Sequence, residues 1–247
     1  MKEFFLDIDG LKVHAKLDLP ETKEKCPLMI LFHGLTGHME EDHIIAAMKT
    51  AVSAGYAVLR ADLYGHGKSE GSFRDHTLFK WMSQGLAVID YAKKLDFVTD
   101  IILCGHSQGG LLTILLAGMK AEDIKAIIPM SPAIVITDGA RKGKLLGIAF
   151  DPDNIPDTLE FKGNPLDGNY FRTAQMIHEE DAIRRFNKPV LLVHGADDPT
   201  VPVQYSVDAA EKYADARLTV IEDDDHIYRR HLDKAMEALG QFLAEIK

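Results

Sequence analysis

The sequence predicts an α/β fold built on a mostly parallel sheet with helices on both faces. Three observations carry that expectation. Short runs of branched apolar residues alternate with longer helical stretches along the 247-residue chain, which is the pattern of strand–helix units. Several of those runs, PLMILFHG and PVLLVHG among them, are apolar continuously rather than alternately, as strands covered on both faces are. A serine set among glycines, CGHSQGG at 104–110, lies between a strand-like run and a long apolar run, where a sharp strand-to-helix turn would place it.

Taken in order, FFLDIDGLKVHAKLDLP alternates around Asp9-Gly10, a hairpin signal, so two antiparallel strands open the chain. PLMILFHG is the third strand. DHIIAAMKTAVSAG reads as a helix ending at Gly55, and YAVLRADL as a strand. In HTLFKWMSQGLAVIDYAKKL, residues Leu78, Met82, Leu86 and Ile89 keep helical spacing, so one face is apolar. IILC is a strand, LLTILLAGM a buried helix and AIIPM a strand. PVLLVHG, QYSVDAAEKYA and RLTVIED give strand, helix and strand, and RRHLDKAMEALGQFLAEI closes the chain as a helix. The strands number eight, and helical crossovers make most of them parallel.

One segment breaks the alternation. From about Ser131 to Arg185 the chain is rich in Gly, Pro and Asp, with no clean strand–helix pair. Its apolar residues Leu145, Leu146, Ile148, Phe150, Phe161, Tyr170 and Phe171 predict an ordered cap. The expected organisation is a core of residues 1–130 and 186–247 carrying an inserted cap at 131–185.

Composition narrows the function classes. The net charge of −10, without a Lys/Arg cluster, argues against nucleic acid and anionic membranes as partners. Two cysteines, Cys26 and Cys104, suggest no disulfide framework. No stretch approaches transmembrane length, and MKEFFLDIDG is charged where a signal peptide is apolar. The cytoplasm is the expected compartment. Monomer and homodimer both stay open.

Gly105-His106-Ser107-Gln108-Gly109 fits the G-x-S-x-G nucleophile elbow. A serine nucleophile needs a base, and the base needs an orienting carboxylate, in the chain order Ser, acid, His. Just past two strand ends come ADDPTVP and DDHIY, on the side of an open α/β sheet where ligands bind. Ser107 is thus the candidate nucleophile, His226 the base and Asp198 the acid, with Asp197 and Asp223 to Asp225 as alternatives. The backbone N–H groups of Leu35, in FHGLTGH, and Gln108 are the candidate oxyanion donors. His33 is read as a brace for that loop. HMEEDH at 38–43 is read as an exposed helix start, and no metal site is expected.

The chain resembles the α/β-hydrolase family over nearly its whole length. FHGLTGH, ADLYGHGKSEG, the elbow and GADDPTVP occur in family order. GADDPTVP is similar to the family pattern G-x-x-D-x-x-V-P, which implies Asp198 as the acid, and Asp62, Gly65, Gly67 and Ser69 resemble a structural D-x-x-G-x-G-x-S loop. Within the family it looks most like bacterial feruloyl (cinnamoyl) esterases, on FHGLTGH, GHSQGG, the SPA run ending at Asp138, and NYFRTAQ. That resemblance implies an eight-stranded α/β-hydrolase fold and a cofactor-free serine esterase acting on small-molecule esters of hydroxycinnamic acids. It also implies that Asp138 and Tyr170, in the cap, meet the phenolic hydroxyl. The alternatives are a short-chain carboxylesterase, a monoacylglycerol lipase, or a hydrolase-fold receptor that binds without turnover.

Overall fold

The computed structural model describes residues 1–21 and 25–247. β1 (Lys2–Ile8) and β2 (Leu11–Asp18) form the opening hairpin. Its turn, Asp9 at φ 53° and Gly10 at φ 76°, has both central residues left-handed, as a tight hairpin that follows strand twist requires. Then come β3 (Cys26–Phe32), α1 (Asp42–Ser53), β4 (Ala57–Ala61), α2 (Leu78–Ala92), β5 (Val98–His106), α3 (Gln108–Met119) and β6 (Ile124–Met130).

The segment after β6 contains α4 (Val135–Arg141), two short hairpins, β7 (Lys144–Leu145) with β8 (Ile148–Ala149) and β9 (Thr158–Phe161) with β10 (Asn164–Asp167), then α5 (Gly168–Gln175) and α6 (Glu179–Arg185). The alternation resumes with β11 (Val190–Gly195), α7 (Gln204–Lys212), β12 (Ala216–Ile221) and α8 (Leu232–Glu245). The main sheet has eight strands in the order β1-β2-β4-β3-β5-β6-β11-β12. Pairing is parallel from β4 through β12 and antiparallel on both sides of β2.

The continuous apolar runs have a plain cause. Successive strand residues point to opposite faces, and both faces are covered. In β3, Leu28, Ile30 and Phe32 join the core under α2 and α3, while Met29 and Leu31 join the core under α1 and α8. Helix α3 is buried on every side, which is why it carries no polar stripe.

The segment from Ser131 to Arg185 is more regular than its sequence suggests. Its helices have seven or eight residues and its strands two to four, too short for either period to register. Part of it packs on the core: a Cβ on Gly118 of α3 would collide with Ala182 of α6, so the two helices meet with backbones close together.

Candidate active site

β5, β11 and β12 end at the same edge of the sheet, and each is followed by one member of the predicted triad. Ser107 joins β5 to α3 with φ 56° and ψ −119°, a conformation that costs a side-chain-bearing residue about 1–3 kcal/mol. The glycines around it are sterically required. A Cβ on Gly105 would strike the Gly109 carbonyl, and one on Gly109 would strike the carbonyls of Phe32 and His33. The turn is pinned by the Ser107 N–H donating to Met130 O at 2.9 Å and by Ser107 O accepting from Leu111 and Ala133.

His226 brings Nε2 to 2.9 Å from Ser107 Oγ and Nδ1 to 2.6 Å from Asp198 Oδ2. An ionised carboxylate only accepts, so Nδ1 carries the proton and Nε2 is free to accept from the serine hydroxyl. Burial pushes the Asp198 carboxyl up, but hydrogen bonds from His194 and His226 outweigh it and hold the group well below the usual carboxylate range. The other acids face elsewhere. Asp197 is exposed, 3.8 Å from Arg230. Asp224 accepts the N–H groups of Asp225, Arg230 and His231, and Asp225 accepts those of Ile227 and Arg229. The acidic run therefore shapes the loop that presents His226. His106 Nε2 donates to His226 O at 2.8 Å from the neighbouring strand end, a brace that the sequence did not disclose.

Leu35 and Gln108 line the same cavity as Ser107, and neither backbone N–H finds an acceptor among the described residues. The Leu35 loop is held from behind. His33 Nδ1 donates to Gly34 O and Nε2 accepts from Leu63 N–H, while His66 Nε2 accepts from Thr36 N–H. Asp62 ties down the glycine loop by accepting from Met39 and Lys68 N–H. His33 and the Asp62 glycine loop thus serve as scaffolding for the loop that carries Leu35.

Two spaces meet at Ser107 and His226. One, of about 500 Å³, is lined mainly by Leu35, Ala133, Val135, Ile136, Leu145 and Phe161, with Lys144 and Lys162 also on its wall. The other, of about 260 Å³, is polar, with Glu41, Thr200, Asp225 and Arg229. Lys162 borders both from the β9–β10 turn, where it and Gly163 hold φ of 50° and 77°.

The two expected phenol-binding residues lie outside this cavity. Asp138 lies on α4 three residues past Val135, about 60° from it around the helix, yet it does not line the cavity. Its carboxylate accepts from Tyr205 OH at 2.6 Å and Lys142 Nζ at 2.9 Å and borders a separate space that excludes Ser107. Tyr170 is fully buried, and its hydroxyl donates to Gln108 Oε1 at 2.8 Å. Gln108 Nε2 in turn donates to His76 Nε2 at 2.7 Å. Tyr170 thus clamps the side chain of the residue after Ser107 from the cap side, and substrate has no open path to its hydroxyl.

The family described as Serine aminopeptidase, S33 (Hydrolase_4) matches residues 23–153. The chain belongs to this family of α/β-hydrolases. The structure of Est1E from Butyrivibrio proteoclasticus with ferulic acid bound has 53% sequence identity to this hydrolase and a TM-score of 0.97, covering 98% of each chain. Human palmitoyl-protein thioesterase ABHD10, mitochondrial, is 26% identical over 237 residues, 89% of this chain and 72% of that protein. Human protein ABHD12B is 27% identical over 183 residues, and the matched part of the hydrolase spans about half of that protein's length (48%).

The strand ends of this hydrolase are crowded with buried histidines. Burial pulls His33 down to about 3 and His43 to about 4, and it also lowers His66, His76 and His106. Their folded pKa values lie below that of an unfolded histidine, near 6.5. Between the two values the unfolded chain binds more protons, so stability rises with pH there and is lost as pH falls through that window. The free energy of unfolding is expected to drop steeply from pH 7 towards pH 4. His43→Phe should flatten that slope by up to about 1.4 kcal/mol per pH unit, read from urea unfolding at half-unit steps. A variant with the wild-type slope would show that His43 is not held neutral.

Proposed function

We propose that the protein is a serine esterase that hydrolyses esters of hydroxycinnamic acids through an acyl-enzyme. The observation that carries this reading is the likeness to Est1E with ferulic acid bound, at 53% identity over 98% of both chains. The apolar space beside Ser107 supports it, because it suits an aromatic acyl group, with the cap at 131–185 supplying Val135, Ile136, Leu145 and Phe161. The polar space on the other side is suited to the alcohol.

In this mechanism Ser107 Oγ attacks the ester carbonyl as His226 Nε2 takes its proton. Asp198 holds the productive tautomer and stabilises the imidazolium. The carbonyl oxygen becomes an oxyanion and receives the free N–H groups of Leu35 and Gln108, the latter at the N-terminus of α3, where the helix dipole adds to the stabilisation. His226 returns its proton to the departing alcohol, and water activated by the same imidazole releases the acid. No step calls for a cofactor or a metal. No helix among the described residues is long and apolar enough to cross a membrane, and we infer a cytoplasmic location from the two free, buried thiols.

A panel of methyl esters tests the substrate class. Methyl ferulate should exceed methyl butyrate by roughly tenfold or more in kcat/KM, as burial of several additional carbons implies. Methyl p-coumarate and methyl cinnamate should differ by less than about tenfold, because Asp138 and Tyr170, the expected partners of the ring hydroxyl, do not line the cavity. Butyrate ahead of ferulate would indicate a short-chain carboxylesterase instead.

A further inference from the structure

Asp198 receives a second histidine. His194, at the end of β11, is fully buried, and its Nε2 lies 3.1 Å from Asp198 Oδ2, the same oxygen that accepts from His226. That Nε2 also lies 3.0 Å from Val201 O. With two acceptors before it, Nε2 must carry the proton. Nδ1 is then the lone-pair nitrogen, and it faces Ser206 Oγ on α7 at 2.7 Å, so the serine hydroxyl donates to it. Ser206 is likewise buried, and no rearrangement within this group gives every atom a partner.

We propose that His194, its tautomer fixed by Ser206, is a positioning residue that holds the Asp198 carboxylate for His226. The inference rests on the reading of Asp198 as the acid of the triad. The physical case is that the carboxylate is locked from both sides. Oδ1 accepts from Thr200 and Val201 N–H at 2.8 and 2.9 Å, and Oδ2 accepts from His194 and His226. Without His194, Oδ2 keeps a single donor, His226, which itself must move its proton balance during the reaction. A neutral donor on Oδ2 also spreads its negative charge and moderates its pull on the imidazolium. Removing that donor concentrates the charge on His226 and raises its affinity for the proton. The titratable and charged groups facing His226 from the surrounding elements are Asp198, His106 on β5, His43 on α1 and Glu41 before it, and Lys162 of the β9–β10 turn, with Asp225 and Arg229 on its own loop and Lys144 across the apolar space. None is altered in the His194 and Ser206 variants below.

Three variants test the assignment through kcat, KM and the acid limb of kcat/KM against pH. His194→Phe keeps the ring and removes both hydrogen bonds. It should lower kcat between about ten- and a hundredfold, as displaced catalytic groups do, leave KM nearly unchanged, and move the acid limb upward. His194→Gln restores a donor where Nε2 stood and should recover most of both effects. Ser206→Ala frees the imidazole to change tautomer and should shift both readouts in the same direction by less. It carries the test if His194→Phe fails to fold. A folded His194→Phe, or failing that a folded Ser206→Ala, with the wild-type kcat and acid limb overturns the assignment. So does a His194→Gln variant as impaired as His194→Phe. Asp198→Asn separates the two levels: if it stays active, the triad reading itself fails, whereas an inactive Asp198→Asn beside a wild-type-like His194→Phe removes only the role of His194.

Discussion

Ser107→Ala is expected to lose on the order of 10⁶-fold in kcat with methyl ferulate, the size of loss seen when a triad nucleophile is removed. The loss should be chemical. The side chain makes its bond to His226, while the turn itself is held by backbone bonds to Met130, Leu111 and Ala133 that alanine keeps. Circular dichroism and the melting temperature should therefore stay near wild type. Ser107→Gly should be equally inactive yet at least as stable. Glycine relieves a backbone at φ 56° and ψ −119° worth about 1–3 kcal/mol, against about 0.4–1 kcal/mol for its freer unfolded chain. A folded Ser107→Ala with near-wild-type turnover would refute a serine nucleophile, and a marked loss of stability in Ser107→Gly would refute the strain.

The parts of this arrangement that could be read from the sequence are those fixed by periodicity and by chain order. The apolar runs that became β3, β5, β6 and β11 are buried on both faces, so burial is written in every residue. Ser107, Asp198 and His226 each follow a strand, and strand ends are visible where apolar runs stop. The contacts that support them were not legible. His194 is the next-to-last residue of an apolar run and looks like a strand terminus, and its bond to Asp198 depends on how the following loop turns back. His106 and His76 are likewise buried partners whose role exists only in three dimensions. In the cap, a seven-residue helix shows less than two full periods, so the sequence does not say which face meets the cavity. Val135 and Ile136 line it, while Asp138, one turn past Val135, turns its carboxylate to Tyr205 instead. Tyr170 is expected from the resemblance to face substrate, but its hydroxyl points to Gln108, a long-range partner that no local pattern marks.

Asp198→Asn should lose on the order of 10⁴-fold in kcat, because an amide in place of the carboxylate fails to select the productive tautomer. In this protein the argument is stricter than tautomer choice alone, since four donors converge on one side chain. If the Asn oxygen faces His226 and His194, its NH₂ group points at the N–H groups of Thr200 and Val201. If it is turned around, NH₂ faces two histidine N–H groups, and both rings must change tautomer. His194 would then turn N–H towards Ser206 and leave Val201 O without a donor. The first orientation strands backbone donors and the second strands the Val201 carbonyl, at about 1–3 kcal/mol for each such group. Asp198→Asn is thus expected to be less stable as well as slow, and its stability deficit should persist in a Ser107→Ala background where chemistry is absent. Asp197→Asn alters an exposed side chain beside Arg230 and should leave both kcat and the melting temperature close to wild type. Steady-state rates and thermal unfolding of the two variants side by side decide the assignment. A large loss in Asp197→Asn with a mild one in Asp198→Asn would transfer the orienting role to Asp197, and small, equal losses would transfer it to the acidic run before His226.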